Sequence, residues 1–255
     1  MAEESRMMKL IVIGTGSTGN GYILDDGRGS ILFIEAGLPA RRYFDAIGYR
    51  TGEVDGVIIS HSHGDHSSHT REFLDRYIRC HTTAGEAPLI RGEEGRIRRI
   101  AYNKPFQVGA YRVVAFPTIH DTPEPCGYVI NHPDSGNILF ITDTSDDIAG
   151  AVRFPGITTA MIECNWDADT IWSNDSLPEV YRQRAVESHL SLDGAKELIR
   201  TLGRETLRQV VLIHGSANNA NAPKFVREIG EAAGGGVEVM IAKPRMIVGA
   251  SKMPF

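Results

Sequence analysis

Short runs of apolar residues alternate along the chain with stretches in which apolar positions recur every three or four residues. The first kind reads as buried strand, the second as helix with one apolar face. Lys9–Ile13, Tyr22–Leu24 and Ser30–Glu35 are expected strands, the last two joined by the turn Asp25-Asp26-Gly27-Arg28-Gly29. Pro39–Gly48 reads as a helix with proline near its start. Val54–Ser60 is a strand, Ser67–Tyr77 a helix and Ile78–Thr82 a strand, and Phe106–Phe116 holds two strands around Gly109. Gly127–Asn131, Asn137–Thr142, Thr158–Glu163 and Val210–His214 are further strands, with Val237–Ala242 as the closing one. Helices are expected over Leu177–Ser188, Leu192–Leu202 and Pro223–Ala233. Hairpins lead each half and helices separate the later strands. That order predicts two mixed sheets with helices outside, an α/β (α+β) chain in four αββα layers. No linker-like tract or short repeat interrupts it, so residues 1–255 are expected to form one domain.

Composition changes this picture little. The 255 residues are 42% hydrophobic and 23% charged, ordinary for a globular chain with a sizeable core. Met1–Lys9 holds two acids and two bases and no apolar core segment, and no apolar run is long enough to span a bilayer, so a cytoplasmic protein is expected. Three scattered cysteines, Cys80, Cys126 and Cys164, suit buried reduced thiols. A formal net charge of -5 excludes coating of nucleic acid by bulk charge.

Gly14-Thr15-Gly16-Ser17-Thr18-Gly19 matches the dinucleotide-binding pattern, and Glu35 follows sixteen residues after Gly19. The context argues against it. A helix must begin at the third glycine, yet Asn20–Leu24 reads as strand leading into a tight turn. The glycines are expected to form a tight loop at the edge of a site.

The chemistry is concentrated in His61-Ser62-His63-Gly64-Asp65-His66, reached directly from the apolar Val57-Ile58-Ile59. Imidazole nitrogen and carboxylate oxygen are the usual ligands of Zn²⁺ and similar ions, and a loop leaving a strand can turn several toward one point. His120, Asp143 and His214 each end a strand-like run in the same way. Five histidines and two aspartates exceed what one tetrahedral zinc requires and suffice for two ions with a shared carboxylate. His69, on the helix after the hexapeptide, reads as solvent-facing, and His81 and His132 lack a spacing partner and read as structural. Arg91, Arg96, Arg98 and Arg99, interrupted by Glu93 and Glu94, read as a solvated basic face, with nucleic-acid backbone as the other reading.

The order H-x-H-x-D-H, then His, Asp and His, resembles the metallo-β-lactamase superfamily over nearly the whole chain. The resemblance implies an αββα sandwich with a dinuclear centre. By it, His61, His63 and His120 would hold one metal, Asp65, His66 and His214 the other, and Asp143 would bridge. His120 before Gly127-Tyr128, with Thr142-Asp143-Thr144 downstream, looks like the phosphodiesterase side that includes tRNase Z. The segments 14–20, Glu163–Asp167, Ser188–Ser191 and His214–Asn219 look most like the YycJ/WalJ-type family, regarded as exonucleases that act on duplex DNA from 5′ ends. Glu35 departs from the aspartate usual there, and Gly215 from an expected leucine.

The resemblance implies a phosphodiesterase, most simply a 5′-to-3′ DNA exonuclease, with two divalent ions (Zn²⁺ or Mn²⁺) and a bridging hydroxide as nucleophile. Asp65 would ligate and orient that hydroxide, and His189 would be the general acid. The alternative for His189 is a cap residue near helix Leu192–Leu202, with Ser191 as the cap itself. Glu35, Asn165, Ser216 and Asn219 are expected to contact substrate or support ligands. The substrate is expected to be DNA or a nucleotide phosphodiester, with no membrane partner; the sequence is compatible with an oligomer. A small-molecule phosphodiesterase acting on cyclic nucleotides and a lactonase- or thioesterase-type hydrolase are the competing readings.

Overall fold

Strands form where the apolar runs lie. The computed structural model describes residues 8–90, 95–151, 153–173, 175, 178–203, 205–216 and 221–250. Its strands are β1 (Lys9–Gly14), β2 (Gly21–Asp25), β3 (Ile31–Ile34), β4 (Val54–Ile58), β5 (Cys80–Thr83), β6 (Arg98–Ile100) and β7 (Pro105–Val108). They continue with β8 (Tyr111–Pro117), β9 (Cys126–His132), β10 (Gly136–Ile141), β11 (Ile157–Glu163), β12 (Gln209–Ile213), β13 (Glu238–Ile241) and β14 (Ile247–Gly249). The helices are α1 (Ala40–Ala46), α2 (Gly64–Ser67), α3 (Thr70–Leu74), α4 (Ile148–Ala151), α5 (Ala168–Ser173), α6 (Glu179–Ser188), α7 (Leu192–Thr201) and α8 (Ala222–Ala233). The strands lie in two sheets, so the mixed α/β class expected from the pattern is borne out.

The chain divides into two compact units: Met1–Pro117, Thr122–Ser135 and Lys243–Phe255 form the first, and Thr118–Asp121 with Gly136–Ala242 the second. The first carries a sheet in the order β14-β1-β2-β3-β4-β5-β6. β1, β2 and β3 run antiparallel, and β3 to β6 run parallel. Parallel strands need both faces covered, which explains why β3 and the end of β4 are unbroken apolar runs. One face packs on α1 and α3 through Phe33, Tyr43 and Phe73, whose rings lie 5.0 to 5.9 Å apart. The antiparallel β7-β8-β9 belongs to the same unit. The buried hydroxyls of Tyr111 and Tyr128 fasten it by donating to Leu24 O and Ile59 O at 2.9 and 2.7 Å.

The second unit is built on the parallel strands β10 to β13. α7 buries Leu198 and Ile199, and α8 buries Phe225 and Ile229. Ser191 caps α7 by accepting from Gly194 N at 2.9 Å, and Asn221 caps α8 from Lys224 N. The hexapeptide after β4, Asp143 after β10, Glu163 at the end of β11 and His214 after β12 lie at the carboxyl ends of parallel strands, the usual edge for an α/β site.

Three expectations are corrected. The helix expected over Ser67–Tyr77 begins earlier and is interrupted: α2 starts at Gly64, and α3 ends at Leu74. Val237–Ala242 does not close the pattern, because β14 returns to pair antiparallel with β1. β6 was unexpected, since Arg98-Arg99-Ile100 shows no apolar alternation. Residues 15–20 join β1 to β2 without a helix, so the dinucleotide motif is the decoy that its context suggested. Leu177, the expected start of a helix, lies outside the described residues.

Candidate metal centre

The first unit supplies the hexapeptide. His61 and His63 lie between β4 and α2, whereas Asp65 and His66 stand on the first turn of α2, with His63 as its N-cap residue. A short helix, rather than the expected loop, completes the turn of ligands. His61 Nε2 lies 3.1 Å from His63 Nδ1, and His66 Nε2 lies 3.2 Å from Asp65 Oδ2. The rings of His61 and His66 are 4.2 Å apart and both are buried.

Three groups hold this turn in place. Ser60 Oγ meets His61 Nδ1 at 2.9 Å. The fully buried Glu35 faces His66 Nδ1 at 3.5 Å and accepts from Ser60 N at 3.3 Å. Glu86, equally buried and missed in the sequence, accepts from Ser62 N and from Glu124 N, both at 2.8 Å. The glycine loop braces the turn from the other side. Asn20 donates to Asp65 Oδ2 at 3.3 Å, and Asn20 N to Asp65 O at 2.7 Å. Gly37 permits this approach, because a Cβ there would lie 1.7 Å from Asp65 O.

The second unit gathers groups that are far apart in sequence. Nδ1 of His120 lies 3.0 Å from Ser188 O, an acceptor that places the proton on Nδ1 and turns Nε2 toward Asp143 Oδ2 at 3.6 Å. Asp143 follows β10 and His214 follows β12; His214 Nδ1 is 3.3 Å from Asp143 Oδ1. The hub of the cluster is Glu163 at the end of β11, another group missed in the sequence. It has no solvent exposure, and it meets His189 Nδ1 at 2.7 Å and His214 Nδ1 at 3.1 Å. It also accepts from Thr144 N, Leu190 N and Asn165 Nδ2, each at 3.2 Å. Burial pushes the Glu163 carboxyl up, yet the two imidazoles hold it below the ordinary carboxylate range. Burial likewise works against charge on His189, but Glu163, helped by Asp143, outweighs it and raises that imidazole above its usual value.

His189 stacks on His214 at 5.4 Å between ring centroids and stands 5.6 Å from His120. It closes α6 and does not cap α7, since Ser191 does that. Asn165 Nδ2 also donates to His214 O at 2.9 Å, so Asn165 fixes a ligand strand. Ser216 is at the margin, its backbone N donating to Asn165 O at 3.2 Å. Asn219 lies outside the described residues, as does Arg91. Arg96 pairs with Asp75, and Arg98 and Arg99 are exposed on the edge strand β6, where charge discourages further strand pairing.

Glu35, Asp143 and His214 share one backbone feature. All are non-glycine residues in the left-handed region, with φ of 64°, 44° and 51°. Each directly follows a parallel strand or stands one residue beyond it, and such outliers gather at functional sites. The donor chemistry in each unit suits divalent metal: imidazole nitrogen beside carboxylate oxygen, with other ring nitrogens held by hydroxyl, carbonyl or carboxylate.

A family model described as the beta-lactamase superfamily domain matches residues 36–214. Exodeoxyribonuclease WalJ of Streptococcus pneumoniae serotype 2 (strain D39) is 28% identical over 231 residues, covering 83% of this chain and 82% of that protein. The metallo-beta-lactamase fold protein YhfI of Bacillus subtilis superposes with a TM-score of 0.71 at 19% identity, covering 95% of this chain and 99% of that one. Human tRNase Z, short form, superposes with a TM-score of 0.65 at 16% identity over 95% and 99% of the two chains. Among the described residues no helix is long and apolar enough to cross a membrane. The chain therefore belongs to the beta-lactamase superfamily and is a metal-dependent hydrolase.

Proposed function

We propose that this hydrolase is a nucleic-acid phosphodiesterase, and specifically an exonuclease that acts on duplex DNA from 5′ ends. In this reading His61, His63 and His120 hold one divalent ion, Asp65, His66 and His214 a second, and Asp143 is shared. Bound Zn²⁺ or Mn²⁺ would supply Lewis acidity toward phosphoryl oxygens and lower the pKa of water. Asp65, steadied by Asn20, orients the attacking water. The new P–O bond forms as the P–O3′ bond breaks, and His189 gives its Nε2 proton to the departing oxygen.

The observation that carries this reading is the Glu163–His189 pair. A buried carboxylate holds His189 Nδ1 at 2.7 Å, beside the rings of two proposed ligands. That arrangement favours a charged imidazolium with its other nitrogen directed away from the carboxylate, as a general acid requires. The similarity to WalJ over 83% of the chain favours DNA among phosphodiesters.

The test is hydrolysis of a 5′-labelled linear duplex by Zn²⁺- or Mn²⁺-loaded protein beside His189→Ala. Stepwise loss of label, slowed about 10²–10⁴-fold in the variant, is expected. Absence of cleavage with either metal, together with turnover of a cyclic nucleotide, would overturn the DNA reading.

A further inference from the structure

A cavity of about 540 Å³ opens in the first unit beside the ligand turn, with His63 in its lining. That volume falls within the roughly 300–1,000 Å³ of small-molecule sites. One wall is the corner between α2 and α3, carrying Ser68 and Arg71. The other is the turn after Glu86, carrying Leu89 and Ile90. Glu86 joins the walls, because its buried carboxylate binds Ser62 N at 2.8 Å from the base of the second.

The polar and apolar parts of the cavity are separated. Ser67 Oγ donates to Ser62 O at 2.8 Å and Thr70 Oγ1 to Ser67 O at 2.6 Å, so these inner hydroxyls are engaged by backbone. The charge stands at the rim. The Arg71 side chain is 73% exposed and pairs with Asp75 at 3.5 Å, an exposed pair of the kind that contributes little. Leu89 is 50% exposed and offers an apolar surface at this wall. One guanidinium, a neighbouring hydroxyl and an apolar shelf match a phosphate attached to a sugar and base.

We propose that this cavity is a nucleotide subsite. It takes the nucleotide next to the scissile phosphate, with Arg71 and Ser68 on the flanking phosphate and Leu89 against sugar and base. The inference rests on the phosphodiesterase reading and adds to it the residues that distinguish a polynucleotide from a simple diester.

The experiment compares three metal-loaded proteins, wild type, Arg71→Ala and Leu89→Ala, on a short DNA duplex and on bis(p-nitrophenyl) phosphate. Arg41→Ala serves as the charge control, since it removes an equally exposed arginine from α1. Arg71→Ala is expected to raise KM for DNA about tenfold while KM for the small diester moves far less. Binding of a phosphorothioate-capped duplex, followed by anisotropy at rising salt, is expected to lose about 0.7–0.9 of its log–log salt slope. Leu89→Ala is expected to raise KM for DNA a few-fold with the slope retained. If Arg71→Ala matches Arg41→Ala in KM and slope, the subsite is wrong. If wild type cleaves the small diester and not DNA, the subsite falls while the phosphodiesterase reading stands. If it cleaves neither, that reading fails first.

Discussion

The two units assemble their candidate site residues in opposite ways. In the first, four potential ligands lie within six consecutive residues, and two separate buried carboxylates, Glu35 and Glu86, secure that short turn. In the second, His120, Asp143, His189 and His214 come from four distant segments, and one buried carboxylate, Glu163, holds His189 and His214, which in turn meet His120 and Asp143. A contiguous cluster takes its geometry from a local turn and can spread its support. A dispersed cluster leans on a common anchor, and damage to that anchor passes from one member to the next.

This contrast orders the expected effects. Glu163→Ala should be the most damaging change, because it orphans Thr144 N, Leu190 N and two imidazoles together. A loss of about 3–5 kcal/mol in stability is expected for breaking such a buried pair, measured by denaturant unfolding, with DNA hydrolysis abolished. Glu163→Gln, which keeps the shape, should restore much of the stability and little of the hydrolysis. Glu86→Ala should cost about 2–4 kcal/mol through two unsatisfied backbone donors while hydrolysis survives in part. Equal losses for Glu163→Ala and Glu86→Ala in both stability and hydrolysis would erase the distinction between the units.

A third effect belongs to the first unit alone and concerns pH. Burial, aided by Arg79 and Arg98, lowers the His81 pKa to about 4. The unfolded chain, with an ordinary histidine near 6.5, then binds more protons than the folded one between these values. Stability should therefore fall as pH drops from about 6.5 to 4, by about 3 kcal/mol, and stay flat above. His81→Phe, which preserves stacking on Phe106, should flatten that slope in unfolding measured across pH. The smallest effect is expected from Glu35→Gln, a roughly tenfold loss in metal affinity by competition with a chelator, because the amide oxygen can still accept from Ser60 N.

The same contrast explains what could be read from the sequence. Strand positions were legible because β3, β11 and β12 are buried along their whole length and are therefore rich in apolar and β-branched residues. The hexapeptide was legible because it is local. His120, Asp143 and His214 were found through a shared rule, a ligand-type residue at the end of an apolar run. Glu163 obeys that rule too, and an acid directly after the apolar run Ala160-Met161-Ile162 was the available signal. Its partners His189 and His214 lie 26 and 51 residues away, so its role exists only in the folded chain. Glu86 gave no such signal, because its function is to accept backbone donors that are invisible in sequence. The left-handed backbone at Glu35, Asp143 and His214 was equally hidden, since nothing short of glycine announces it.

In the proposed mechanism Glu163 holds His189 as the acid that protonates the leaving oxygen. This role is tested most directly by the leaving-group dependence of His189→Ala. Hydrolysis of DNA, which expels a basic alkoxide, should fall about 10²–10⁴-fold, whereas hydrolysis of the p-nitrophenyl ester of thymidine 5′-phosphate, which expels a stable phenolate, should fall much less. Equal losses on the two substrates would contradict the account and leave His189 a structural partner of Glu163.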